Sequence, residues 1–301
     1  MYPDLSDILH QVFGIEWLHG LSTYKFFLVS AFAAAAVIVY LELRRKEKVG
    51  EVPMKSSRET LIAILMAVVF GMLGARILSA LEYLDEFREK PGFSFFIQNG
   101  QSFYGGLILA SAAIYFYARY KKVDPVHGLD IAAPAIAIGY AVGRLGCHLS
   151  GDGCWGVENS TAKPGLLGFL PDWAWACSYP HNALQKGVLM PGCVTDYCHV
   201  LPHPVYPTSL YESVFSFIVF SLLWSVRKKV NVTGSLIVIF ILLNASFRFL
   251  IEFIRINPKY NFLGCHFSQA QLISILLFFI TLTGYYYFRR RSQKQKKQTS
   301  F

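Results

Sequence analysis

The sequence predicts an all-α, polytopic integral membrane protein with seven transmembrane helices and an extracytoplasmic cap loop. Of its 301 residues, 54% are hydrophobic and only 16% are charged, and the mean hydropathy is +0.40. This composition is too apolar for an ordinary soluble domain. Seven segments approach the length of about 20 apolar residues that a bilayer core requires. They are Tyr24–Leu43, Thr60–Leu81, Gln101–Ala118, Leu129–Gly146, Val205–Val226, Gly234–Ile254 and Phe267–Phe288.

The elements follow one another as apolar and polar stretches. Apolar residues recur at helical spacing between Leu5 and Phe13, which is typical of an interfacial helix. The first two spans are long apolar runs, whereas the third and fourth are shorter and glycine-rich. Residues 157–204, rich in Pro, Gly and aromatic residues, then form a loop insertion whose aromatic content favours an ordered cap. We treat residues 1–301 as a single membrane-embedded domain that contains this insertion.

The distribution of positive charge predicts the orientation. Connections after the first, third, fifth and seventh spans contain 18 Lys and Arg, against six in the N-terminal residues and the other connections. Because cytoplasmic loops carry the excess of basic residues, we expect the N-terminus outside and the C-terminus in the cytoplasm. The net charge of +9 is then mostly a topology signal. The basic tail is interpreted as a stop-transfer anchor that attracts anionic lipid head groups rather than nucleic acid.

All six cysteines lie in connections on the predicted outer side. They are Cys147, Cys154, Cys177, Cys193, Cys198 and Cys265. In an oxidising compartment, disulfides are the simplest interpretation, although the pairing stays open. A metal site is the alternative, because three of the cysteines are followed directly by histidine. None of these pairs has the spacing of a preformed zinc cluster, so no metal site is predicted.

Three arginines lie inside predicted spans: Arg76, Arg144 and Arg248. A charged side chain at the centre of a transmembrane helix costs about 2.5–3.5 kcal/mol on insertion scales, so each is a functional candidate. At about 1.5 Å per residue, all three lie roughly 5–10 Å from the outer boundary. A shared anion would hold three guanidinium groups at one depth, and a lipid phosphate is the anion available there.

The alternative pairs each arginine with an acid. Arg248 and Glu252 stand at i, i+4 on one helix face, which permits an ion pair. Glu212 and Asp152 are available to neutralise the other arginines. The pattern leaves both interpretations open for a single arginine and favours the shared anion for the three together.

The segment GQSFYGGLILAS places Gly105 and Gly106 just inside the third span, beside Tyr104. Glycine allows a ligand or another backbone to come close. Small residues also serve helix packing in membranes. A lipid-binding role and a packing role are therefore both open for this pair.

Five motifs, in this order along the chain, resemble those of the bacterial phosphatidylglycerol–prolipoprotein diacylglyceryl transferases. VVFGMLGARILSAL is similar to the family's GARL-type second span, and SFYGGLILAS is similar to its SFHGGL segment. GYAVGRLGCHLSGDGCWG resembles the GRxGNFxNGExxG signature. YPTSLYES resembles the HPSQLYE motif, and RFLIEFIR resembles the RFxxEFxR motif. Each motif is short, and their order at membrane boundaries carries the resemblance.

The resemblance implies an enzyme that moves a diacylglyceryl group from phosphatidylglycerol to the lipobox cysteine thiol of a prolipoprotein and releases glycerol phosphate. Its partners would be phosphatidylglycerol and the signal-peptide and lipobox region of the prolipoprotein, with no nucleic acid. Its location would be the bacterial cytoplasmic (inner) membrane. No metal and no organic cofactor is implied, because the phospholipid is already activated by its phosphate ester.

Matched position by position, the resemblance makes Arg144 and Arg248 the essential catalytic pair. Arg76, Glu252 and Tyr24 would support the head-group pocket. The further substrate-binding positions implied are Gly105, Gly106, Ser150 and Asp152.

The chain departs from the family pattern at several matched positions. Tyr104 stands where the family has the histidine of SFHGGL, and a phenol with an ordinary pKa of about 10 is a poor base at neutral pH. Cys147 and Ser150 replace the two asparagines of the signature. Asp152 replaces its glutamate, and Gly153 is inserted.

His148 offers a replacement imidazole, four residues after Arg144 and on the same face if the helix continues. We therefore add His148 and Tyr104 to the candidate catalytic residues. The alternative is that His148 is a polar boundary residue or hydrogen-bonds Asp152.

These departures leave two other classes of function open. The chain could be a divergent relative that uses another acceptor or donor, or a non-catalytic, lipid-binding membrane scaffold. A channel or secondary transporter is disfavoured, because the sequence shows no paired broken helices and no acidic path through the spans.

Overall fold

The structure is a computed structural model that describes residues 1–14, 20–50, 57–82, 103–230, 232–257, 259–262 and 265–298. The chain divides into two compact units. One comprises residues 1–35 and 133–301, and the other comprises residues 36–132.

Over the described residues the fold is mainly helical, as predicted. The α-helices are α1 (Leu5–Phe13), α2 (Thr23–Lys48), α3 (Ser57–Glu82), α4 (Phe103–Tyr120), α5 (Pro125–Ser150), α6 (Thr208–Val226), α7 (Ser235–Ile251) and α8 (Gln269–Gln298). Two antiparallel ribbons complete it: β1 (Val188–Leu189) with β2 (His199–Val200), and β3 (Lys259–Phe262) with β4 (Cys265–Ser268).

Six helices of the described chain are long and apolar enough to cross a bilayer: α2, α3, α5, α6, α7 and α8. The third of the seven predicted spans corresponds to α4, whose 18 described residues give a length of about 27 Å. This length is slightly less than the about 30 Å of a hydrocarbon core. The structure thus supports six of the seven predicted spans, and the span at α4 stays a prediction. Residues 101 and 102 of that predicted span lie outside the described residues.

In the unit of residues 36–132, α3 and α4 pack directly backbone to backbone. A Cβ on Gly105 would overlap the carbonyl oxygen of Gly74, and a Cβ on Gly74 would overlap that of Gly105. A Cβ on Gly106 would lie 3.0 Å from the carbonyl oxygen of Gly71. These contacts correspond to the packing role considered for the glycine pair.

In the other unit, α5, α6 and α7 share an apolar core. Its buried members are Ala133, Ala137, Val219, Leu223, Leu236 and Ile237. The rings of Phe215 and Phe247 stack with centroids 3.9 Å apart, and Ser213 donates a hydrogen bond to the carbonyl of Ala141 at 2.8 Å. This packing brings the polar side chains of the three helices together.

The loop between α5 and α6 is ordered by its own contacts. Trp155, Cys177, Tyr179 and Val205 form a buried cluster, and Cys177 and Val205 exchange backbone hydrogen bonds of 3.0 Å. These contacts hold residues of the predicted loop insertion, residues 157–204, against the residues on either side of it. Its assignment as a separate extracytoplasmic insertion stays a prediction.

The described residues contain one disulfide, Cys193–Cys198, which closes a short turn of this loop. The disulfide prediction is confirmed for this pair. Cys147, Cys154 and Cys177 are free thiols, and the side chain of Cys265 lies outside the described part of the chain.

Candidate active site

Glu212 of α6 is the centre of a buried charge cluster. Its side chain is 1% exposed, and each of its oxygens has two partners. Oε2 lies 2.6 Å from Nε of Arg144 and accepts a hydrogen bond of 3.0 Å from the hydroxyl of Tyr140. Oε1 lies 2.8 Å from Nη1 of Arg248 and 2.9 Å from Nη1 of Arg255. One carboxylate thus fixes three guanidinium groups.

A second buried carboxylate, Glu252, holds the other side of Arg248. Its Oε2 lies 3.1 Å from Nη2 of Arg248, and Asn257 donates a hydrogen bond to its Oε1. The i, i+4 ion pair considered from the sequence is therefore present. The chain leaves α7 through a 3₁₀ turn at Glu252–Ile254, which lets Arg255 return to Glu212.

The two carboxylates and the three guanidiniums differ in exposure. The side chains of Arg144, Arg248 and Arg255 are 19%, 31% and 13% exposed, whereas Glu252 is fully buried. Nε of Arg255 is buried and has no hydrogen-bond partner among the described residues. With three positive and two negative groups, the cluster carries one uncompensated positive charge. Such a site suits a monoanion with several oxygen acceptors.

The segment from Cys147 to Cys154 forms a tight turn at the end of α5. Gly151 and Gly153 have φ of +66° and +94°, values in the left-handed region that favours glycine. Gly151 donates its N–H to the carbonyl of Cys147 at 3.1 Å, and Cys154 donates its N–H to Oδ1 of Asp152 at 3.1 Å. The turn brings a ligand atom from each of Cys147, Asp152 and Cys154 within 4.8 Å of one another.

This thiol–carboxylate group lies beside the arginine cluster. The hydrogen bond from the Cys147 thiol and the charge of Arg144 lower the pKa of Cys154, whereas burial and the charge of Asp152 act in the opposite direction. The phenol of Tyr24, at the start of α2, also interacts electrostatically with both thiols, Asp152 and Arg144. Arg144 is therefore common to the carboxylate cluster and the thiol group.

Close packing explains the position of Tyr24. A Cβ on Gly146 would overlap the side chain of Phe27, so the first turns of α2 lie directly against the last turns of α5. Gly146, within the motif at the end of α5, thus allows α2 and α5 to pack this closely.

His148 is buried and faces the cap loop. Its Nδ1 lies 3.1 Å from the hydroxyl of Tyr179, and its ring stacks on Trp173 with centroids 5.8 Å apart. Burial raises the pKa of Tyr179, so this phenol stays protonated. Helix α5 continues through His148. His148 therefore lies on the same helix face as Arg144, which was predicted on the condition that the helix continues. The hydrogen-bond partner is Tyr179 rather than Asp152, and the role of His148 as a base stays a prediction.

The remaining predicted residues are distributed between the units. Ser150 is buried and donates a hydrogen bond of 3.4 Å to the carbonyl of Cys147. Arg76 lies in α3, in the unit of residues 36–132, together with Gly105 and Gly106. Tyr104 belongs to α4, and its side chain lies outside the described part of the chain.

The sequence alone indicates no site role for Arg255 or Tyr140, and only a counterion role for Glu212. Arg255 is the last residue of RFLIEFIR, and Glu212 lies in YPTSLYES, so both occur in motifs already singled out. Glu212 was considered as a counterion for one arginine, but the structure shows that it pairs with three.

The chain is similar to a family of known proteins along most of its length. A family model described as prolipoprotein diacylglyceryl transferase matches residues 12–287. The phosphatidylglycerol–prolipoprotein diacylglyceryl transferase of Leptospira interrogans serovar Lai is 29% identical over 92% of this chain and 92% of its own length. The protein of the same name from Clostridium botulinum strain 657 is 31% identical over 70% of this chain and 74% of its own length. That of Clostridium tetani is 25% identical over 87% and 92%.

The matched range contains the arginine cluster, the Cys147–Cys154 turn and all six apolar helices except the basic end of α8. The chain therefore belongs to the prolipoprotein diacylglyceryl transferase family.

Proposed function

We propose that this protein transfers a diacylglyceryl group from phosphatidylglycerol to the lipobox cysteine thiol of prolipoproteins and releases glycerol phosphate. The single observation that carries the proposal is the set of three guanidinium groups on Glu212. Family membership supplies the reaction class, and the cluster supplies a site for the group that leaves.

The phosphate of phosphatidylglycerol is a monoanionic diester. Arg144, Arg248 and Arg255 already have fixed orientations because each binds Glu212, and the three side chains remain partly exposed. Charge-assisted hydrogen bonds from guanidinium to phosphate are among the stronger polar contacts in proteins. We assign these three residues to the head-group phosphate. Tyr24 and Glu252 would support the same pocket, as the resemblance implies.

The reaction is attack by sulfur on the glycerol carbon that bears the phosphate. A carbon–sulfur bond forms while the carbon–oxygen bond to phosphate breaks, and the electron pair leaves on the phosphate oxygen. Charge therefore develops on the departing phosphate, where fixed donors lower the barrier most effectively. Sulfur attacks as a thiolate, so a base or another means of removing the thiol proton is also needed.

The family and the six apolar helices make this a multi-pass protein of the bacterial inner membrane. With α4 as the seventh span, we infer an N-terminus outside and a cytoplasmic C-terminus from the basic connections. In this orientation the arginine cluster, near the end of α5 and α7, faces the outer leaflet. The acceptor would be the lipobox segment that follows a prolipoprotein signal peptide.

The second candidate function is transfer with another donor or acceptor, because Tyr104 replaces the histidine of the family's SFHGGL motif. The two candidates differ in the product formed from a defined substrate pair. Purified full-length protein in phosphatidylglycerol nanodiscs is incubated with a lipobox peptide, and the peptide is analysed by mass spectrometry. We expect a diacylglyceryl thioether on the cysteine, and no product with the Cys→Ser peptide.

The matched control is Arg119→Ala, which removes an exposed arginine at the end of α4. This variant should retain transfer, whereas Arg248→Ala should abolish it. Lipid binding without peptide modification by the wild-type protein would contradict the proposal and favour the lipid-binding scaffold or another acceptor.

A further inference from the structure

We propose that Cys147, Asp152 and Cys154 form a zinc site whose open fourth position binds the acceptor thiol. The inference deepens the proposed function, on which its role in transfer rests. No metal site was predicted from the sequence. The zinc site is inferred from the three side chains that the turn after α5 brings together.

The ligand atoms and their spacing suit zinc. Zinc binds sulfur at about 2.3 Å and carboxylate oxygen at about 2.0–2.2 Å, so tetrahedral ligands lie about 3.5–3.8 Å apart. The three atoms of this group already lie within 4.8 Å of one another, and a side-chain adjustment of about 1 Å completes the geometry. Two thiolates with one carboxylate favour zinc over calcium and magnesium, which prefer oxygen ligands alone.

The protein backbone holds these ligands in place. Cys147 belongs to the last turns of α5 and is buried. Oδ1 of Asp152 is fixed by the N–H of Cys154, which leaves its second carboxylate oxygen for a metal. The hydroxyl of Thr208 donates a hydrogen bond of 3.0 Å to the carbonyl of Cys154, which ties the turn to the start of α6. Rigid elements on both sides therefore present the ligands.

Three ligands indicate a catalytic site. Structural zinc sites are closed by four protein ligands, whereas catalytic sites have three and keep a position for water or substrate. Among the described residues, this group has three members. His148 is adjacent in sequence, but its Nδ1 faces the hydroxyl of Tyr179 and its ring stacks on Trp173.

An open zinc position supplies what the transfer reaction requires. A thiol that coordinates a metal is deprotonated outright. The acceptor S–H would lose its proton on binding zinc, and the proton would end on the released glycerol phosphate. The bound sulfur would attack the glycerol carbon, the carbon–oxygen bond would break, and the thioether would leave as a weak ligand. No oxidant or reductant is consumed.

The position beside Arg144 connects this site to the phosphate cluster. Arg144 interacts electrostatically with Cys154 and also pairs with Glu212 at 2.6 Å. Two thiolates, one carboxylate and Zn²⁺ sum to one negative charge, which is attracted by the net positive charge of the neighbouring arginine cluster. The acceptor sulfur and the phosphate would thus bind on either side of one arginine.

The first experiment measures metal content. Full-length protein is purified in detergent, and bound zinc is counted by inductively coupled plasma mass spectrometry. We expect one zinc ion per chain in the wild type and in Cys177→Ser, a buried free thiol outside the group. Cys147→Ser, Cys154→Ser and Asp152→Asn should each lose at least tenfold in zinc affinity. Absence of zinc, an unchanged zinc content in all three variants, or a Cys147–Cys154 disulfide in the intact protein would overturn the proposal.

The second experiment tests the open position. Zinc is replaced by cobalt, whose thiolate charge-transfer absorption reports the number of sulfur ligands. Addition of a lipobox peptide should raise this absorption by about half, from two thiolates to three, and the Cys→Ser peptide should not. An unchanged spectrum would overturn the role of the metal in binding the acceptor.

Failure of this inference is distinguishable from failure of the proposed function. Metal-free protein that transfers the diacylglyceryl group at the wild-type rate would overturn the zinc role and leave the transferase function intact. Zinc-loaded protein that binds the peptide thiol but forms no thioether with phosphatidylglycerol would contradict the function while the metal site stands.

Discussion

Arg144 and Arg248 bind opposite oxygens of the same carboxylate, that of Glu212, at 2.6 and 2.8 Å. The three residues come from three different helices. Because Glu212 is almost completely buried, the pairing determines both the position of the guanidiniums and the stability of the helix contact. Substitutions of the carboxylate and of the arginines should therefore have different consequences.

Glu212→Gln should destabilise the protein as well as inactivate it. The substitution leaves three guanidinium groups around a neutral amide, and loss of one partner from a buried ion pair costs about 3–5 kcal/mol. Thermal unfolding in detergent measures the effect, with Glu158→Gln, an exposed glutamate of the cap loop, as control. A melting temperature equal to that of the wild type would show that the carboxylate does not organise the cluster.

Arg144→Lys and Arg248→Lys should fold normally but lose transfer activity. Lysine keeps the positive charge but cannot contact a carboxylate and a phosphate at once with a planar fork. We expect a fall of about 10²–10³-fold in kcat, the range measured when one donor to a developing anion is removed. Steady-state kinetics with the lipobox peptide checks this. Wild-type kcat in either lysine variant would exclude that arginine from the phosphate site.

Arg255→Ala should resemble the other two arginine variants, although sequence reasoning gave Arg255 no role. It binds the same oxygen of Glu212 as Arg248 does, and its side chain is partly exposed beside the other two guanidinium groups. Titration of phosphatidylglycerol into the folded variant should show at least tenfold weaker binding. Unchanged lipid affinity would limit Arg255 to a structural role.

His148→Ala should lower stability more than it lowers activity. The imidazole shares a buried hydrogen bond with Tyr179, and loss of one partner costs about 1–3 kcal/mol. If zinc removes the thiol proton, transfer should remain within tenfold of wild type. A loss of more than about 10²-fold at an unchanged melting temperature would instead identify the imidazole as the general base.

Gly105→Ala should separate α3 from α4. The added methyl group would overlap the backbone of Gly74, which cannot move aside as a side chain can. We expect a drop in melting temperature and in the yield of folded protein. Gly284→Ala is the matched control in α8, since a Cβ there meets nothing within 4 Å, and it should be neutral or slightly stabilising. Tolerance of Gly105→Ala would contradict the close packing of the two helices.

The sequence predicted those features that depend on local periodicity. Apolar runs identified the long helices, and i, i+4 spacing identified the Arg248–Glu252 pair before the structure showed it at 3.1 Å. The family motifs pointed to Arg144 and Arg248, which the structure places on one carboxylate.

Features that depend on long-range packing were not predictable from the sequence. The joint pairing of Arg144 and Arg255 with Glu212 requires the association of α5 and α6 with the turn after α7, which no local spacing encodes. The thiol group requires a reversal through Gly151 and Gly153, two left-handed residues within four positions. Cysteine spacing alone therefore predicted disulfides in general, whereas the structure separates one disulfide from three free thiols.

The single positive charge left over by three arginines and two glutamates has a consequence for turnover. A phosphodiester carries one negative charge and would neutralise the cluster, whereas the glycerol phosphate released is a monoester whose second pKa is about 6. At neutral pH the product is thus close to a dianion in a pocket balanced for a monoanion. Because Glu212 and Glu252 are buried and offset only two of the three guanidinium groups, the site attracts this dianion at least as strongly as the phosphodiester. Release of glycerol phosphate should therefore be the slow step of turnover.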